Sequence, residues 1–178
     1  MHIIVDGYNL IRQSDSLRRY ERLSLEEGRR ALIHFMAEYK KLKGHKVTVV
    51  FDGWVSGPSE EERDRQKGID IIYSRRGEKA DDVIKRYVER PGEEIIVVTS
   101  DRGIADFVIR RGVTAISSHE FEEFAQRMQS GPLDSSSHTE GRYDKDKDDE
   151  ITTNIKKKGP SRRLSRKKKA AIIKLRKL

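Results

Sequence analysis

The chain contains no cysteine. That excludes a disulfide framework, a thiolate zinc site and a cysteine nucleophile. It has four prolines and one tryptophan, and aromatic residues make up only 7%. No apolar run approaches the roughly 18–20 residues a membrane span needs. The apolar fraction is 34%, with 13 glycines besides; even together these stay below the roughly 45–50% usual for a globular chain. The deficit is local. Residues 130–178 offer little that could form a core, whereas residues 1–129 have an ordinary pattern.

Signature loops are missing too. No Gly-x-x-x-x-Gly-Lys loop is present, so a P-loop NTPase is excluded, and no Gly-x-Gly-x-x-Gly follows the first apolar run. An Asp-x-Asp phosphatase would need an acid where Tyr8 stands. The five histidines, His2, His34, His45, His119 and His138, show no metal-ligand spacing. The N-terminus runs into a strand-like segment by residue 3 without a basic leader, which predicts a cytoplasmic protein.

What is present is first a charge asymmetry. Residues 1–129 carry 23 basic and 23 acidic side chains. Residues 130–150 carry 3 and 7, and residues 151–178 carry 12 and none. The net charge of +8 therefore belongs to the tail. Three regions follow: a folded domain over 1–129, an acidic, Ser-rich linker over 130–155, and a basic tail over 156–178 that could become helical on a partner.

The domain alternates two kinds of segment. Residues 2–5, 47–51, 69–73, 95–99 and 113–116 read as strands. Between them, Ser24 to Glu27 is a capping box opening a helix that Gly44 stops. Residues 79–90 and 103–111 read as helices, and Ser117 to Glu120 caps a last one running to about Met128. Residues 53–68 read as loop, punctuated by Gly53, Gly57 and Pro58 and then very polar. Such alternation predicts an α/β fold, a three-layer α/β/α sandwich around a mainly parallel sheet of about five strands.

Three of the strands run into an aspartate: Ile3-Ile4-Val5 into Asp6, Val47 to Phe51 into Asp52, and Ile95 to Ser100 into Asp101. In a parallel sheet all three emerge at its C-terminal edge, where open α/β sheets bind ligands. A fourth acid lies in Lys79-Ala80-Asp81-Asp82, at a helix start. Asp81 shares a face with Ile84 and Val88 and is expected to point inward, while Asp82 aligns with Lys85 and Arg86. Clustered carboxylates suit a hard divalent cation, Mg²⁺ or Mn²⁺, one ion or two. The bland role for each acid is a helix cap or an Asx turn. Asn9 is placed to fix a water or a phosphate, or to cap the next segment. Ser100 is placed to orient a ligand, or to satisfy local backbone.

Four segments, taken in order, resemble the YacP-like NYN domains of the PIN-like nucleases: Ile4-Val5-Asp6-Gly7-Tyr8-Asn9, Val49-Val50-Phe51-Asp52, Glu78-Lys79-Ala80-Asp81-Asp82 and Val98-Thr99-Ser100-Asp101. The resemblance covers about residues 1–128. It implies a PIN-like fold and divalent-metal-dependent endoribonuclease activity on single-stranded RNA, with a part in messenger RNA turnover that includes cleavage on the ribosome. Carried over by position, Asp6, Asp81 and Asp101 would be the metal-binding and catalytic acids. Asn9, Asp52, Asp82 and Ser100 would support them. One departure is Lys79, where relatives often have a small polar residue.

RNA contacts are expected from Arg12, Arg75, Arg76 and Arg102, in loops following strands or at the cleft rim. In the tail they are expected from Lys156, Lys157, Lys158, Arg162, Arg163, Arg166, Lys167, Lys168 and Lys169. If about 6–10 of the tail cations met phosphates, affinity would fall roughly 10³–10⁵-fold between 50 and 200 mM salt. The expected partners are RNA and the ribosome, with no membrane and no small-molecule cofactor. The competing readings are an RNA- or ribosome-binding adaptor without catalysis and, more remotely, a DNA flap- or exonuclease-like enzyme.

Overall fold

The computed structural model describes residues 1–53, 59–90 and 92–129, together with Ile173. The linker and the tail cations named above lie outside them. The first strand, β1 (His2–Asp6), is buried along its whole length, as a strand covered on both faces by helices must be. Helices α1 (Gly7–Gln13), α2 (Asp15–Glu21) and α3 (Leu25–Lys43) follow. Next come strand β2 (Lys46–Phe51), edge strand β3 (Glu62–Gln66) and strand β4 (Ile69–Tyr73). The chain continues through α4 (Ala80–Val88), β5 (Ile95–Val98), α5 (Arg102–Arg110), β6 (Thr114–Ile116) and α6 (Ser118–Gln129).

The sheet has six strands in the order β3-β4-β2-β1-β5-β6, parallel throughout except for β3. The three-layer α/β/α arrangement is as expected, with one strand more. Ile3, Val5, Val47, Val49 and Phe51 pack with Leu32, Met36, Tyr39 and Phe121, so α1, α3 and α6 cover one face. Ile4, Val50, Ile72 and Val97 pack with Val83, Ile84, Ile104 and Val108, so α4 and α5 cover the other.

The extra strand corrects the loop reading of residues 53–68. Its residues, Glu-Arg-Asp-Arg-Gln, are all exposed, so no apolar alternation marks it. A two-residue turn makes it: Lys67 (φ 50°) and Gly68 (φ 79°) both take left-handed backbone, the geometry that matches a hairpin's twist. Its charges also blunt the sheet edge. Arg12 also departs from its expected place, lying on α1 rather than in a loop.

Strand order reverses around β1: the chain goes from β1 to β2 over one face and from β4 to β5 over the other. The C-terminal end of β1, flanked by β2 and β5, is thus the switch point of the sheet. Two glycines shape it. A Cβ on Gly7 would stand 2.4 Å from the Phe51 ring, and one on Gly53 would stand 1.6 Å from the carbonyl oxygen of Ser74. Each follows a strand-end aspartate, so both acids sit on backbone that no larger residue could continue.

Candidate metal and nucleic-acid site

Asp6 closes β1 and is only 8% exposed. One carboxylate oxygen accepts from the Asn9 amide at 3.3 Å, capping α1, and the other accepts from Thr99 Oγ1 at 3.1 Å. Burial raises its pKa from 3.8 to about 6; these two hydrogen bonds oppose the shift, and Asp81 and Asp52 add to it. Thr99 is in place because Val5 pairs with Val98 in the sheet, which leaves the next residue of each chain side by side.

Asp81 lies in the first turn of α4, half-buried. Its pKa is also raised, first by burial, then by Asp101 and Asp52, with Lys85 and Lys79 pulling the other way. Asp82 points outward, 55% exposed, with Lys85 at 3.7 Å. The helical geometry thus places Asp81 beside the other acids, as its spacing to Ile84 and Val88 suggested.

Asp101 and Asp52 cap helices. Asp101 Oδ1 accepts from the Ile104 amide at 3.0 Å at the start of α5. Asp52 Oδ1 accepts from the Ala80 amide at 2.5 Å. Lys79, the N-cap of α4, provides no side-chain cap of its own, so Asp52 supplies it from another strand. That bond also sets where Asp81 begins its turn. The capping role weighed for each acid is therefore real for Asp6, Asp52 and Asp101; it uses one oxygen and leaves the second for another partner.

Asn9 ties a knot. Its Oδ1 accepts from the Ser100 amide at 2.8 Å and from Ser118 Oγ at 2.8 Å. The Ser118 amide in turn donates to Ser100 Oγ at 3.1 Å. The starts of α1, α5 and α6 are locked together beneath Asp6 and Asp101, and Asn9 and Ser100 act as braces.

None of Asp6, Asp52, Asp81 and Asp101 has a cation within 4 Å among the described residues. Lys79 makes no ion pair there either. Nor do three acidic or histidine side chains converge closely enough, among the described residues, to ligate one ion together. The donor set therefore suits a cation that takes one or two carboxylates and fills the remaining positions with water and phosphate, the habit of Mg²⁺.

The expected RNA-contacting arginines are exposed around this edge. Arg102 opens α5 next to Asp101. Arg75 pairs with Glu78 at 3.6 Å, and Arg12 pairs with Glu21 at 3.3 Å. One cation escaped sequence reasoning. Arg29 on α3 lies over the rings of Tyr8, Phe51 and Tyr73, at 5.6, 5.8 and 5.4 Å from their centroids. Its Nε donates to the Tyr8 hydroxyl at 2.8 Å. A cavity of about 600 Å³ bordered by Lys46, Arg63, Arg65, Asp70, Tyr87 and Arg90 lies away from the acids. Three of its cations already pair with Glu93, Glu61 and Asp70.

Comparison with known proteins agrees with this geometry. The family model of the YacP-like NYN domain matches residues 3–177. An uncharacterized protein YacP of Bacillus subtilis is 33% identical over 102 residues, which is 56% of this chain and 59% of that relative. The chain thus spans less than two thirds of that relative's length. The crystal structure of Rae1 (YacP) from Bacillus subtilis superposes with a TM-score of 0.60 at 27% identity, covering 73% of this chain and 76% of that one. A tryptophan-to-leucine variant of it gives 0.62 at 27%, covering 72% and 77%.

Proposed function

Since the chain belongs to the YacP-like NYN domain family, a nuclease-like group, we propose that it is a divalent-metal-dependent endoribonuclease. It acts in the cytoplasm on single-stranded RNA, chiefly messenger RNA in turnover, including messages on the ribosome. One observation carries the proposal: four carboxylates gather at the switch point of the sheet, none with an ion-pair partner within 4 Å among the described residues, and Lys85 and Lys79 offset the charge of Asp81 only in part. Burial and mutual repulsion cost energy there, and a bound cation removes that cost.

Asp6 and Asp81 are the ligands in this reading, because burial and like charge raise both. Asp101 contributes the oxygen its helix cap leaves over to a water on that ion or to a second ion. Asp52 and Asn9 position, through the α4 cap and the serine knot. Mg²⁺ or Mn²⁺ held here would polarise a phosphoryl oxygen and offset charge on the leaving oxygen. The carboxylates orient what they hold through their second oxygens, and the packed strand ends fix them.

An adaptor without catalysis gains nothing from this arrangement, since acids without counter-ions repel an RNA backbone. The test is cleavage of single-stranded RNA, free and ribosome-bound, with Mg²⁺ or Mn²⁺. Asp6→Asn and Asp81→Asn are each expected to lower the rate roughly 10³-fold, the loss of several kcal/mol of metal-borne stabilisation. Undiminished cleavage by both proteins would overturn the proposal.

A further inference from the structure

We infer that Arg29 binds an RNA phosphate flanking the scissile one, an anchor on the opposite side of the sheet edge from the carboxylates. The inference rests on the nuclease reading above and adds a substrate contact to it.

Position comes first. Tyr8 lies two residues after Asp6, Phe51 one before Asp52, and Tyr73 at the end of β4. Two of the three rings under Arg29 therefore stand within two residues of an acid, and the third ends β4, the neighbour of β2 in the sheet. Phe51 points to the α3 face, while Asp52 reaches Ala80 on α4. An RNA strand crossing this edge meets carboxylates on one side and the guanidinium on the other.

Charge comes second. Arg29 is half-buried, yet it has no carboxylate within 4 Å among the described residues. Its neighbour Arg30 holds Glu26 and Glu27, and Arg12, Arg63, Arg86, Arg111 and Arg127 each hold a glutamate. Instead, the guanidinium is stabilised by three ring faces and the Tyr8 hydroxyl. Its charge also lowers the pKa of the Tyr73 phenol, which burial mainly raises.

Chemistry comes third. A guanidinium so held is rigid and keeps its full positive charge. Its donors not used on the Tyr8 hydroxyl suit the fork geometry of a phosphate. Because it is already ordered, binding costs little further side-chain entropy.

The test measures binding of a short single-stranded RNA to the full chain in EDTA, where no cleavage occurs, from 50 to 200 mM salt. Arg29→Gln is expected to bind about tenfold more weakly. The slope of log affinity against log salt should flatten by about 0.7, one single-strand phosphate contact. Arg29→Lys keeps the charge, so it should keep the slope and lose less affinity. With Mg²⁺ added, KM for cleavage by Arg29→Gln should rise about tenfold while kcat stays within about threefold.

The inference is overturned if a folded Arg29→Gln protein keeps the wild-type affinity and slope. It is also overturned if Arg29→Lys falls as far as Arg29→Gln, since a packing role would do that. Should Arg29→Gln fail to fold, Arg29→Lys decides: a raised KM with the wild-type slope supports the contact, and a wild-type KM overturns it. A wild-type protein that shows Arg29-dependent binding but no cleavage would overturn the nuclease reading and leave this contact standing.

Discussion

At the N-terminal edge of the sheet, His2 is buried and bonded on both ring nitrogens, to Glu93 at 2.7 Å and to Thr48 at 2.8 Å. Glu93 also holds Lys46 at 3.3 Å. At the C-terminal edge, 8%-exposed Asp6 sits among Asp52, Asp81 and Asp101, and none of the four has an ion-pair partner within 4 Å among the described residues. The same strands begin in one environment and end in the other. Where each polar group has its partner, the sheet gains stability; where like charges are gathered, it loses some. The second arrangement is affordable only if something outside the chain compensates, and that locates the site on the C-terminal edge.

Substitutions at the two edges should separate the two roles. The largest effect expected is on cleavage. Asp6→Asn and Asp81→Asn should nearly abolish it, whereas His2→Ala should leave kcat/KM within about threefold of wild type. Equal losses at both edges would mean that the edges do not differ in role.

Stability should run in the opposite direction. His2→Ala leaves Thr48 and Glu93 without their partner and opens a gap, at a cost of about 2–4 kcal/mol in urea unfolding. Asp6→Asn in the metal-free protein should stabilise at neutral pH by about 1–3 kcal/mol, because a pKa unit is worth about 1.4 kcal/mol. Asparagine can still accept from the Asn9 amide through its oxygen, and its NH2 can donate to Thr99 Oγ1.

The pH dependence sharpens the contrast. Asp6 has a folded pKa raised to about 6 from 3.8, so between these values the folded state binds more protons than the unfolded one. Its contribution to stability therefore falls as pH rises from about 4 to about 6 and is flat above. His2, lowered below 6.5 chiefly by burial, has the opposite sign: its contribution is complete above 6.5 and falls as pH drops. Stability curves of Asp6→Asn and of His2→Ala should each lack one of these limbs. The smallest effect belongs to Asp82→Asn, which loses only an exposed pair with Lys85: at most about 0.5 kcal/mol and no more than about threefold in rate.

The sequence showed the central strands because each is a continuous apolar run, and the four acids because they sit at fixed points of those runs and of one helix. It did not show β3, whose five polar residues pair only because Lys67 and Gly68 take a turn that composition barely marks. It did not show α1 and α2, seven residues each, too short for a clear periodic face. Asn9 was visible as a polar residue, but its role depends on Ser118, 109 positions away. Arg29 was invisible for the same reason. What distinguishes it is the convergence of Tyr8, Phe51 and Tyr73 from three separate elements, and only the folded sheet brings them together.

The central claim is that this edge holds a divalent cation through Asp81 rather than Asp82. Mn²⁺ titration of the full chain by calorimetry at pH 7.5 tests it most directly. Wild type and Asp82→Asn should bind alike, and Asp81→Asn should show heats near the dilution baseline. Undiminished Mn²⁺ binding by Asp81→Asn, or its loss in Asp82→Asn alone, would contradict the account.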